Sequence, residues 1–343
     1  SEIDPFDITV LINEGKDPSV EVFNSLSSGD SHIKADIAII AEGYTKNDRE
    51  KFQSDLKRFS KTFFTSKPLS SYKDRFNIYG VFKPSAESGA DEPRAGVYKN
   101  TSVGSTFNSM GSERYLLTED NKTLRDIASH VPYDALYIMV NHSRYGGGGI
   151  YNFYCTFTSD NIFSEYLLVH EFGHSFFGLA DEYYTSSTAY NDFYSSEYEP
   201  SEPNITAMKD PNNLKWKHLI SEGIEIPTPW EKIEFDKTDS TWQKEREKLN
   251  NTTYNLQRNK ASQKEVDDSR KDYDQKSLDR FKDVQVYLGN SIYAGKVGAF
   301  EGAGYVPKGM YRPSVNCIMF TRTNFFCPVC QDAMIGIINW YSN

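Results

Sequence analysis

The residues best placed to do chemistry are His170, Glu171 and His174, which fall in an apolar-rich stretch expected to be helical from about Asn161 onward. At about 100° per residue, histidines four positions apart lie about 40° apart and one turn along. Both imidazoles can then reach one divalent ion at about 2.0–2.1 Å. Glu171 points beside them. From there its carboxylate can hydrogen-bond a metal-bound water without ligating the ion, take a proton as the water attacks a carbonyl, and pass it to a leaving amine. Gly178 suits the left-handed residue that ends a helix, and Asp181 three positions later can swing back with an oxygen ligand. Two imidazoles and a carboxylate leave the fourth position of a zinc site open for water. Asp181 and Glu182 are adjacent, so either can be the third ligand while the other braces a histidine; Asp181 is favoured. A helix carrying two of the chain's six histidines by chance is the competing reading, and the flanking Gly178 and Asp181 argue against it.

The elements that must hold this segment read as α/β. Ile33 to Ala41 is an apolar, β-rich run, and a helix is expected from Lys46 to Phe64 with Phe52, Leu56, Phe59 and Phe63 on one face. Thr45 and Asp48 match a capping box at its start. A second strand is expected over Phe76 to Phe82, a short helix near Leu124 to Ser129, and a buried strand over Ala135 to Asn141. Gly146 to Gly149 precede a strand expected over Ile150 to Phe157. Gly148 and Gly149 are candidates for contacting an extended peptide laid along that edge, the alternative being a flexible turn.

Beyond Tyr184 the chain turns polar, then highly charged from Asp239 to Asp283. Trp242, Leu249 and Leu256 recur every seven residues, as do Val266 and Tyr273, and Ser240/Gln243 and Ser262/Glu265 both fit capping boxes. These features predict two helices joined near Ala261, inserted as a projecting hairpin with solvated charged faces. The organisation expected is an N-terminal extension 1–32, an upper catalytic subdomain 33–181 and a lower subdomain 182–343 containing the hairpin. Near the end, Met319 follows a turn-rich stretch and precedes a helix from Cys327 to Tyr341, the order in which metzincins place the Met-turn beneath the metal. Of the four cysteines, Cys155, Cys317, Cys327 and Cys330, the last two have redox-motif spacing but lack a preceding βαβ pattern; structural thiols or a disulfide are the expectation.

At 343 residues with 23 tyrosines and 22 phenylalanines, the chain has ample core material. Its formal net charge of −10 argues against nucleic acid or anionic membrane as partner and favours a protein or peptide. No apolar run reaches the length of about 18 residues needed to span a bilayer, and Ser1 opens a polar stretch without signal-peptide character, as in a processed soluble chain. No segment has the loop spacing of a calcium site.

The stretch His170 to Tyr183 resembles the zinc helix of the bacterial IgA-peptidase family of zinc endopeptidases, His-Glu-Phe-Gly-His-Ser-Phe followed by Gly-Leu-Ala-Asp-Glu-Tyr. Phe300 to Tyr305, Gly309 to Pro313, Cys317 to Met319 and Phe326 to Cys330 are similar to that family's C-terminal signature. The resemblance covers roughly 33–184 and 297–341. It implies a metzincin-like fold, with a twisted mixed sheet and the active-site helix above an irregular C-terminal subdomain, and a secreted, periplasmic or cell-surface location. Three residues rather than two separate His174 from Gly178, a carboxylate replaces the usual third histidine, and Thr321 stands where some metzincins carry an oxyanion-stabilising tyrosine. Tyr311 and Arg312 are the substitutes considered at the substrate. Zinc endoproteolysis is the leading expectation. A zinc-containing surface module that binds a host protein or glycan without turnover is the alternative from another class, and exopeptidase action lacks a distinct signal.

Overall fold

The computed structural model describes residues 16–185, 194–195 and 197–342. Residues 1–15 of the expected extension and part of the polar stretch after Tyr184 lie outside them. In chain order the strands are β1 (Glu21–Leu26), β2 (Ala35–Glu42), β3 (Phe76–Phe82), β4 (Thr106–Phe107), β5 (Leu116–Leu117), β6 (Ala135–Val140), β7 (Gly147–Ile150), β8 (Tyr154–Thr158), β9 (Phe300–Ala303) and β10 (Val306–Arg312). The α-helices are α1 (Arg49–Thr62), α2 (Asn121–Ala128), α3 (Ser164–Ser175), α4 (Lys232–Arg258), α5 (Gln263–Gly289) and α6 (Pro328–Tyr341).

Six strands form one mixed α/β sheet in the order β1-β3-β2-β6-β8-β7. The central four run parallel, and β1 and β7 close the two edges antiparallel. Parallel strands are covered on both faces, which is why β2, β6 and β8 are buried throughout. Alternation sorts their side chains. Ile37, Ile39, Tyr137, Met139 and Phe157 face α1 and α3, meeting Phe52, Leu56, Phe59, Phe63 and Phe172. Ala38, Ile40, Leu136, Ile138 and Val140 face the opposite way, onto Leu124 and Ile127 of α2 and onto Phe107 and Leu116. The first core continues without interruption through Met319, Phe326, Cys330, Met334 and Ile338, so α3 is packed between the sheet and the C-terminal segment.

Three features of these elements differ from the expected layout. The run expected as one strand, Ile150 to Phe157, is a hairpin: the glycines form the edge strand β7, Asn152 turns the chain at φ 54°, and β8 lies inside the sheet between β6 and β7. Glycines carry no periodic signal, yet nothing stops them extending along a neighbour. Second, β1 had no expectation at all. Third, the helical hairpin does not project. Its two 27-residue helices, longer than expected at both ends, lie against the rest of the chain: Phe235 and Leu288 join the main core and Phe281 meets Phe163, and polar contacts add to these. Arg270 reaches Glu92 at 3.2 Å and Asn250 reaches Glu113 at 2.6 Å, while Tyr254 accepts a hydrogen bond from Arg144. The Ser262/Glu265 capping box starts α5, whereas Ser240 and Gln243 lie inside α4, because the helix begins eight residues earlier at Lys232.

Candidate metal centre

Helix α3 buries nearly every side chain it carries. Phe172 stacks on Tyr137 with ring centroids 5.2 Å apart and meets Phe63 edge-on at 4.7 Å, which fixes the rotation of the helix about its axis. His170, Glu171 and His174 then project toward a cleft of about 790 Å³ whose far wall is β7. The wall is close. A β-carbon added at Gly147 would sit 3.0 Å from Glu171 Oε1, and one at Gly149 would sit 2.6 Å from the Glu171 carbonyl oxygen. Gly148 and Gly149 both line the cleft.

The helix ends as its sequence requires. Gly178 adopts φ 64°, and its N–H donates to the His174 carbonyl, satisfying an otherwise orphaned acceptor. The chain then doubles back. Asp181 Oδ1 comes to 3.2 Å from His170 Nε2 and 3.1 Å from His174 Nε2, and the two Nε2 atoms are themselves 3.2 Å apart. Each imidazole donates from its other nitrogen to a backbone carbonyl, His170 Nδ1 to Ile318 at 2.9 Å and His174 Nδ1 to Leu179 at 2.6 Å. Those bonds assign the tautomers and leave both Nε2 lone pairs facing inward. Tyr305 donates to the other oxygen of Asp181, Oδ2, and so holds Oδ1 toward the histidines.

Three electron-pair donors facing one another at these distances repel unless a positive charge sits among them. The electrostatics agree. Burial alone would lower the pKa of His174, but the Asp181 carboxylate and then the charge of Glu171 raise it to about 9. Asp181 is held well below the usual carboxylate range; burial opposes this, and the two histidines overcome it. The donor set of two imidazoles and one carboxylate therefore fits a divalent metal ion. Glu171 is buried and lies outside this triad, and burial pushes its carboxyl above the ordinary glutamate range despite the neighbouring histidines.

Other residues named from the sequence separate into two groups. Met319 lies fully buried under α3, where a β-carbon on Gly173 would come within 2.8 Å of its sulfur, and its carbonyl accepts from the Glu182 N–H. Glu182 faces away from the histidines, bonded instead to Asn204 at 3.1 Å and Cys330 at 3.3 Å, so it neither joins nor braces them. Tyr311 and Arg312, considered at the substrate, do not line the cleft. Tyr311 pairs through its backbone with Thr206, and the Arg312 guanidinium is buried 3.9 Å over Phe320, donating to the Gly302 carbonyl. That pairing partner is remote in sequence, which is why a position near the Met-turn did not reveal the direction of either side chain. Conversely, Arg114, Tyr115, Tyr183 and Tyr305 surround the donors and had no assigned role. Tyr183 and Tyr305 do fall within the stretches that carry the family resemblance, which was the one available signal.

Among the described residues no helix is long and apolar enough to cross a membrane. A comparison with curated proteins gave no match. The sequence model of the family described as IgA Peptidase M64 matches residues 23–338, which include all but the first two residues of the six-stranded sheet, α3, the three converging donors and the hairpin. The chain belongs to the IgA peptidase M64 family and is a metallopeptidase acting on protein or peptide substrates.

Proposed function

We propose that the protein is a zinc-dependent endopeptidase with a metzincin-like arrangement, in which His170, His174 and Asp181 hold the ion, Glu171 is the general base and Met319 underlies the centre. One observation carries the reading: three donor atoms converge within 3.2 Å beside a buried carboxylate that is not among them, all facing one cleft. Zinc fits the donor chemistry, and when bound it supplies Lewis acidity, polarising a carbonyl and lowering the pKa of water. The chain's own residues do the rest. Glu171 takes a proton from the attacking water and returns it to the leaving nitrogen, a task suited to a carboxylate whose pKa is raised by burial. Tyr305 keeps Asp181 oriented, and the carbonyls of Ile318 and Leu179 keep both histidines in the ligating tautomer.

Substrate recognition follows from β7. An extended peptide lies along β7, whose glycines bring that strand close to Glu171, and its side chains meet Tyr115, Tyr183 and Tyr305. Both ends of the peptide continue past the zinc site, hence internal cleavage. The family resemblance supports action outside the cytoplasm of a bacterium. Elemental analysis of the native chain and of His174→Ala, with mass-spectrometric reading of an unbiased peptide library, tests the proposal. About one zinc lost in the variant together with loss of internal cuts supports it. Equal zinc in the two proteins, or cuts confined to chain termini, would overturn it.

A further inference from the structure

A second group of potential ligands lies behind the first and shares no residue with it. Glu182, Cys317, Cys327 and Cys330 each offer one donor atom, and these atoms all lie within 4.8 Å of one another. All four residues are buried, at 1 % exposure or less. The cysteines are free thiols, with Cys317 Sγ and Cys330 Sγ 3.7 Å apart. Two thiolates on one tetrahedral zinc ion, at about 2.3 Å each, are separated by about 3.8 Å; a disulfide holds its sulfurs at about 2.05 Å. The separation is that of a tetrahedral edge.

Two further observations point to a ligand. Glu182 Oε2 is buried with no hydrogen-bond partner, although Oε1 of the same carboxylate is engaged by Asn204 and Cys330. An orphaned oxygen there costs on the order of 1–3 kcal/mol unless something binds it. Backbone N–H groups are also aimed at sulfur, Cys327 N at Cys317 Sγ (3.3 Å) and Cys330 N at Cys327 Sγ (3.5 Å), so the sulfurs are placed as acceptors, the role of thiolates. We propose that Glu182, Cys317, Cys327 and Cys330 form a structural zinc site, closed to water and distinct from the catalytic centre.

On binding, each thiol releases its proton to solvent and four negative donors meet the dication. The negative charge left over is met in part by Arg312, a fully buried guanidinium whose Nε and Nη2 have no partners and whose charge acts on both Glu182 and Cys317. The site's position gives it a purpose. Glu182 adjoins Asp181, Cys317 lies two residues before Met319, and the Glu182 N–H already donates to the Met319 carbonyl. An ion here pins the returning Asp181 segment to the Met319 turn and to the start of α6.

Cobalt replacement tests the proposal on the full chain under reducing conditions. The catalytic donors include no sulfur, so a thiolate-to-cobalt charge-transfer band reports the cysteine site alone. The expected result is about two metal equivalents per chain with an intense sulfur band, and in His170→Ala/His174→Ala about one equivalent with the band unchanged. Cys327→Ser/Cys330→Ser should abolish the band, and the wild-type spectrum serves if that variant fails to fold. Cobalt bound by the folded chain without a sulfur band would overturn the second site, as would a Cys327–Cys330 disulfide in protein purified under reductant. A persisting band with no effect of the histidine substitutions on metal content would instead count against the catalytic reading.

Discussion

Gly149→Ala is a small change with a calculable effect. A β-carbon at this position would lie 2.6 Å from the Glu171 carbonyl oxygen and 2.8 Å from His174 Cβ, with Glu171 Oε2 at 3.3 Å. Carbon atoms rest comfortably at about 3.5–4.0 Å, so β7 and α3 must separate by about 0.7 Å or more. Neither element yields easily. β7 is hydrogen-bonded to β8, and α3 is held by Phe172 against Tyr137 and Phe63. Overpacking of this kind costs about 1–3 kcal/mol, and a misplacement approaching 1 Å at the reacting groups costs up to about 10²-fold in rate. We expect a lower urea midpoint and a kcat/KM about 10- to 100-fold below wild type, with metal still bound. Gly336→Ala is the control: nothing lies within 4 Å of a β-carbon there, and alanine inside α6 should stabilise by about 1 kcal/mol. A Gly149→Ala protein with wild-type stability and wild-type kcat/KM would refute the close approach of β7 to the catalytic helix.

Two further outcomes follow from contacts away from the reacting atoms. Burial would raise the pKa of Glu92, but a hydrogen bond from His142 and the charges of Arg144 and Arg270 hold it at about 2, so its stabilisation is complete above the unfolded value near 4.5 and is lost as pH falls toward 2. Unfolding free energies from urea titrations of wild type and Glu92→Gln should therefore differ by on the order of 3 kcal/mol at neutral pH and converge only as pH falls to about 2; a difference that grows on acidification would contradict this. Tyr305→Phe removes the hydroxyl that donates to Asp181 Oδ2, and competition with a chelator should show metal affinity about 10- to 100-fold weaker with the thermal midpoint nearly unchanged.

The convergence of His170, His174 and Asp181 was legible because it is local: residues one turn apart must share a face, and the glycine and aspartate that follow lie within eleven residues of Glu171. The central strands were legible because parallel strands covered on both faces read as nearly continuous apolar runs, as Ile37–Ala41 and Ala135–Val140 do. What escaped is what depends on distant partners. The strand Glu21–Leu26 mixes apolar and polar residues without a clean alternation of buried and exposed positions, and its pairing with Phe76–Phe82 makes it a strand. The docking of the hairpin rests in part on Arg270, Asn250 and Tyr254, polar residues that leave no mark on hydrophobic periodicity. Arg114 and Tyr305 reach the site from far along the chain, and the opposite directions of the adjacent Asp181 and Glu182 are decided by Asn204 and Cys330, neither nearby in sequence.

The most direct test of the central claim is the turnover of metal-loaded Glu171→Gln on a peptide that the wild type cleaves internally, with metal content measured on the same sample. Glutamine keeps the shape but cannot accept the proton, so metal should remain at the wild-type level while kcat falls by at least about 10²-fold. Turnover near wild type by the metal-loaded variant would contradict the assignment of Glu171 as the base.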